Sequence, residues 1–170
     1  MGFKSGREIM FISKICHFIV KQAELYRRSQ KNKELQKYGI DFNNIGKVEI
    51  FHIENVKIGK GSYFNEGQIH AGPNSKISIG EDCAIGYNVH IKAFTHSINK
   101  PTGENIEVIE KDIIIGNNVW IGDNVYIREG IKIGNNVIIG ANSVVTKDIE
   151  SNTVVAGCPA KKIYMLPITP

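Results

Sequence analysis

Tryptophan occurs once in 170 residues, at Trp120, cysteine three times and proline five times. Three cysteines cannot all pair within one chain, and Cys16, Cys83 and Cys158 share no metal-type spacing, so a reduced, cytoplasmic setting is expected. No apolar run reaches the roughly 18 residues of a membrane span. The most apolar stretch, "IMFISKICHFIV", is cut by Lys14 and His17 and has no small-residue cleavage site after it, which argues against a signal peptide. A strong excess of one charge is missing too: the net charge is +4. Positions 1 to 38 carry nine Lys/Arg against three acids, so the rest of the chain is slightly acidic. That argues against a basic nucleic-acid face on the main body.

What the sequence does have is a count of six. From residue 79 it reads IGEDCA, IGYNVH, IKAFTH, and from 115 IGNNVW, IGDNVY, IREGIK, IGNNVI, IGANSV, VTKDIE. Ile79, Ile85, Ile91, Ile115, Ile121, Ile127, Ile133, Ile139 and Val145 share one phase, and small or β-branched residues sit four places after most of them. Neither a 3.6-residue helical period nor a strand alternation produces this, whereas a β-solenoid of hexapeptides does. Hairpins would need two-residue turns that are absent. The hexads come in three alternating kinds, with Gly at 80, 116, 134 and at 86, 122, 140, but Lys92, Arg128 and Thr146 in the third column. Three hexads per coil describe a triangular prism with the Ile column inside. The corner glycines are expected to supply backbone angles that other residues resist.

Three regions depart from the count. "VKIGKGSYFNEGQIH" has the same character but is three residues out of phase, which places an insertion in "AGPNSK" and begins the solenoid near residue 46. Residues 1–45 form an N-terminal segment in which Phe11, Ile15, Phe18, Ile19, Gln22 and Tyr26 fall on one face of a basic amphipathic helix. Such a helix caps the end of a solenoid, or rests peripherally on an anionic membrane. The third departure covers 97–114, where SINKPT, GENIEV and IEKDII fit poorly; at 18 residues it loops out without disturbing the phase. Loops on a rigid scaffold carry function. His96 stands where this one opens, while His17, His52, His70 and His90 read as structural. The solenoid domain is expected over 46–158 and a C-terminal tail over 159–170.

"FTHS" before such a loop, "IIIGNNVWIGDNV", "YFNEG" and above all "IGANSVVTKDIESNTVVAGCPAKKI" resemble the hexapeptide-repeat acyltransferases, in the galactoside, maltose and xenobiotic acetyltransferase branch. The resemblance covers about 48 to 163. It implies a left-handed parallel β-helix, a homotrimer with sites between subunits, and acetyl-CoA as donor with no metal. By position, His96 matches the catalytic base, Asn65 and Trp120 match acceptor-side residues, and Gly122, Asp123 and Ala141 lie along the pantetheine groove. Thr146, Lys147 and Lys161, with Lys162 as a helper, match the nucleotide end. "QIHAGPN" departs from the simple sugar enzymes, which carry an Asp after the Asn.

These matches point to an O-acetyltransferase acting on a sugar hydroxyl of a surface-polysaccharide, capsule or lipopolysaccharide precursor. An amino sugar or a xenobiotic is the alternative acceptor. A γ-type carbonic anhydrase needs three His on zinc, but His90 and His96 fall on successive sides. A non-catalytic scaffold would lack stabilisation by acetyl-CoA.

Overall fold

Two units make up the chain, Met1–Lys37 and Tyr38–Pro170. The structure, a computed structural model, describes residues 6–40, 45–100 and 102–167. The first unit is one α-helix, Gly6–Lys37, with no proline and no glycine after its first residue. Ile15, Phe18, Ile19 and Tyr26 are exposed along it, while the side chain of Phe11 lies outside the described set. No described helix is long and apolar enough to cross a membrane.

The second unit is built from short parallel strands stacked in three walls. The first wall runs through Tyr63–His70, Ala84–Ile85, Trp120–Ile121, Ile138–Ile139 and Thr153–Ala156. The second takes Ile45–Phe51, the far half of Tyr63–His70, then Val89–Lys92, Tyr126–Ile127 and Val144–Val145. The third takes Val56–Ile58, Ile77–Ile79, Ile113–Ile115 and Lys132–Ile133, with a last bridge to Ile149. The six-residue phase becomes three buried columns: Phe64, Ile85, Ile121 and Ile139; Ile69, Ile91, Ile127 and Val145; Ile79, Ile115, Ile133 and Ile149. Each such side chain contributes roughly 1.5–3 kcal/mol when taken from water. Cys83, Val89, Val119, Val125, Ile131, Val137 and Ser143, four places on, fill the corners from inside.

Register locates both interruptions. Ile79 pairs with Ile115 and Ile91 with Ile127, an offset of 36 where uninterrupted coils have 18, so one extra coil's length of sequence passes out of the prism with the phase kept. The detour starts as an antiparallel ribbon, Phe94–His96 against Val108–Glu110, and the prism resumes at Ile113, just inside the expected 97–114. Upstream, Phe64 pairs with Ile85 and Ile69 with Ile91, a 21-residue offset becoming 22. The single strand Tyr63–His70 turns the corner one residue short, and the segment from Ala71 to Lys76 then carries the surplus. There Ser75 Oγ accepts from Gly72 N at 2.9 Å, and Glu110 of the ribbon accepts from Asn74 N at 2.7 Å.

The corner glycines have a different cause from the one expected. Gly80, Gly86, Gly116, Gly122, Gly134 and Gly140 do not occupy the left-handed region; a side chain there would run into the next coil. A Cβ on Gly116 would lie 2.7 Å from the carbonyl carbon and oxygen of Gly134. The left-handed residues at the corners include Asp82, Asn88, Asn118, Asn124, Asn136, Asn142 and Asn152, with φ between 53° and 59°. Asn tolerates that region better than other side chains. These asparagines also stack: Asn88 donates to Asn124 at 2.9 Å and Asn124 to Asn142 at 3.2 Å, and Asn118 to Asn136 at 3.1 Å and Asn136 to Asn152 at 2.8 Å.

Candidate active site

At its C-terminal end the solenoid folds a hairpin back over its last coil. Strand Lys161–Met165 pairs antiparallel with Thr153–Ala156. Val144 N donates to Gly157 O at 3.0 Å and Ala160 N to Val144 O at 2.8 Å. This return brings Lys161 and Lys162 beside Thr146 and Lys147, and all four line a cleft of about 460 Å³. Asp148, Ile149, Glu150 and Thr153 also line it, and Val155, Pro159 and Ala160 complete its wall. Sequence reading named the four polar residues but none of these apolar ones, which only the hairpin delivers. Asp148 already accepts from Lys132 N at 2.8 Å, so its carboxylate belongs to the scaffold. Three lysines and a hydroxyl on one cleft suit phosphate groups.

Gly122 and Ala141 are stacked at the corner between the first and second walls, a Cβ on Gly122 falling 2.7 Å from Ala141 N. Asp123 beside them accepts from Tyr87 N at 2.8 Å through its carboxylate and from Asn142 N at 2.9 Å through its carbonyl. That corner is therefore a shallow, glycine-lined strip of backbone.

His96 lies elsewhere. It closes the strand Phe94–His96, is exposed, and pairs with Val108 across the ribbon. Ser97 behind it is buried, its N–H donating to Glu107 O at 2.8 Å. The ribbon leaves the corner that follows Lys92, and by register Lys92, Arg128 and Thr146 belong to one column on successive coils. Asn65 and Trp120 instead sit along the first wall, on strands flanking Ala84–Ile85. One chain thus carries His96 and the pair Asn65 and Trp120 on different sides of the prism, in agreement with the hexad count.

Beside the ribbon, His70 is stacked between Phe51, with ring centroids 4.1 Å apart, and Phe94, at 6.4 Å. Burial first, and then the Lys92 charge, hold its pKa below the ordinary histidine value. Its Nε2 is 3.4 Å from Glu49 Oε2 but makes no hydrogen bond among the described residues. His90 is also lowered, by burial and then Lys92; its ring lies 2.8 Å from Gln68 Oε1 and 3.0 Å from Asn88 Oδ1. Both rings are held by neighbouring strands of the prism. At the corner below, the buried Glu129 is paired with Arg128, whose guanidinium is held still more basic by that contact.

The signature of the bacterial transferase hexapeptide family (six repeats) matches residues 112–147. The galactoside O-acetyltransferase of Escherichia coli is 39% identical over 109 residues, 64% of this chain and 53% of that protein. A solved maltose O-acetyltransferase from Clostridium difficile shares 32% identity at a TM-score of 0.67, over 82% of this chain and 76% of the other. A hexapeptide-repeat acetyltransferase from Vibrio cholerae, solved in complex with acetyl-CoA, gives 29% and 0.67 over 75% of this chain and 69% of the other. The chain belongs to the hexapeptide-repeat acyltransferase family, and its fold is the left-handed parallel β-helix with an N-terminal helical segment. It spans 53% and 60% of the length of the curated relatives it matches.

Proposed function

We propose that the protein is an acetyl-CoA-dependent O-acetyltransferase acting on a sugar hydroxyl, with a surface-polysaccharide, capsule or lipopolysaccharide precursor as acceptor. The observation that carries this is the convergence of Thr146, Lys147, Lys161 and Lys162 on one cleft, from segments 14 or more positions apart in sequence. A highly anionic donor such as CoA needs that concentration of cations. The pantetheine arm would follow the open strip at Gly122, Asp123 and Ala141. His96 takes the proton of an acceptor hydroxyl. The oxygen attacks the thioester carbonyl carbon, the C–S bond breaks, and the imidazolium returns the proton to the CoA thiolate. Proton, acyl group and charge balance with no metal in the step.

Because His96 and the pair Asn65 and Trp120 lie on different sides of one prism, the complete site is assembled between subunits of a homotrimer. The exposed apolar and basic faces of Gly6–Lys37 suit a peripheral contact with the inner face of a membrane carrying a lipid-linked glycan. The test is transfer of labelled acetyl from acetyl-CoA onto lipid-linked glycans, nucleotide sugars and simple sugars. Base-labile ester on a sugar is expected. Absence of both transfer and stabilisation by acetyl-CoA would overturn the reading.

A further inference from the structure

We infer that Glu110 is a positioning residue for His96, an assignment that rests on the reading of His96 as the base. Its carboxylate braces the ribbon that carries the imidazole against segment 71–76. The ribbon is two short strands, and a strand pair by itself is marginal in water. Backbone bonds fix where it leaves and rejoins the prism, Lys111 N donating to Ala93 O and Ile113 N to Lys76 O, both at 2.9 Å. They do not fix its tilt. Glu110 pairs with Phe94 and Val108 with His96, and side chains of paired residues, and of residues two apart, share a face. Glu110, Phe94 and His96 therefore stand on one face, the His96 rung about 7 Å beyond the Glu110 rung. A tilt at the first rung becomes a displacement at the second.

That face is gripped at two points. The Phe94 ring lies parallel to His70, which stacks in turn on Phe51. Beside it, Glu110 Oε2 accepts from Asn74 N at 2.7 Å, and Oε1 from Asn74 Nδ2 at 3.4 Å. A stack resists lifting but lets rings slide in their plane, whereas a hydrogen bond to a backbone N–H is directional and, with a carboxylate, strong. Segment 71–76 is built as a seat for it. Asn55 Nδ2 donates to Gly72 O at 2.9 Å and to Pro73 O at 3.3 Å, and Gly72 N donates to the wholly buried Ser75. Gly72 leaves the carboxylate its room, since a Cβ there would lie 2.6 Å from the Glu110 carboxyl carbon. A base must come within hydrogen-bond reach of the proton it takes, and misplacement by about 1 Å costs on the order of 10²-fold in rate.

The test reads His96 itself. In the full chain with isotope-labelled histidine rings, its NMR signal is the one lost in His96→Ala. Glu110→Ala is expected to melt as a folded protein, to keep stabilisation by acetyl-CoA, and to shift or split that signal. On whichever sugar of the acceptor panel takes acetyl, its kcat should fall roughly 10–100-fold with the KM for acetyl-CoA unchanged. Glu110→Gln keeps an acceptor oxygen for Asn74 N and should stay near the native protein in both readouts. Gly72→Ala puts a methyl in the carboxylate's place; it should act like Glu110→Ala, the pair together being no worse than either alone. If Glu110→Ala does not fold, Gly72→Ala carries the same comparison. An unmoved His96 signal in the folded variant overturns the brace, as does a Glu110→Gln as impaired as Glu110→Ala. Lost kcat with an unmoved signal makes Glu110 a direct participant, and a moved signal with full kcat makes the brace idle; either also overturns it. If the signal moves as expected but no sugar takes acetyl and acetyl-CoA does not stabilise the protein, the brace stands and the transferase reading falls.

Discussion

His96 is presented on a ribbon edge, where its imidazole is exposed and its backbone is fixed by pairing with Val108. Replacing it with Ala should lower kcat by roughly 10²–10⁴ while stabilisation by acetyl-CoA persists; retained turnover would remove the base from this position. Lys147 belongs to the cleft rather than to the chemistry. Lys147→Ala should therefore raise the KM for acetyl-CoA more than it changes kcat, and steady-state kinetics with varied donor separate the two. A loss confined to kcat would contradict that placement. Both residues draw attention in the sequence because each lies at a departure from the pattern: His96 stands at the break, and Lys147 follows Thr146, which stands where other columns hold glycine.

At the scale of the coil, two kinds of corner residue do different work. Asn124→Ala puts an ordinary side chain at φ 57°, at a cost of about 1–2 kcal/mol, which Asn124→Gly should largely avoid. Gly116→Ala fails for a packing reason, since its Cβ would meet the backbone of Gly134, and overpacking of this kind costs about 1–3 kcal/mol. Denaturant melts of the three variants check the distinction. Sequence alone marked the glycines but assigned them the wrong cause, because coil-to-coil distance is invisible in one strand's sequence. The ribbon offers a pH test. His70 holds its proton less tightly in the fold than in the unfolded chain, so the unfolded chain gains protons first as pH falls through about 6.5. Stability is full above that pH and declines toward the lowered folded value. His70→Phe, which keeps the stack with Phe51 and Phe94, should lose less melting temperature than the native protein between pH 8 and 5.5. Equal losses would show that His70 contributes no such slope.

For the whole molecule, the separation of His96 from Asn65 and Trp120 leads to a complementation test. On the proposed homotrimer, mixed assemblies of a His96→Ala chain and a Lys147→Ala,Lys161→Ala chain should recover part of the activity each lacks, through sites that take their base from one subunit and their donor cleft from another. Failure in mixed trimers verified by mass would place the entire site within one chain. The hairpin Lys161–Met165 bears on the same question, because it puts Lys161 and Lys162 on the cleft through pairing with Thr153–Ala156.

The hexad period by itself determined the three walls, the inward columns and the position of the break, because each residue's inward or outward facing repeats with the chain and needs no distant partner to be read. Only the tertiary structure decided which outward residues meet. The brace of Glu110 on Asn74, the stack on His70 and the lysine cleft each join residues from different coils, and their meeting depends on inter-strand register and on a one-residue shortening near Gly67 that periodicity does not record.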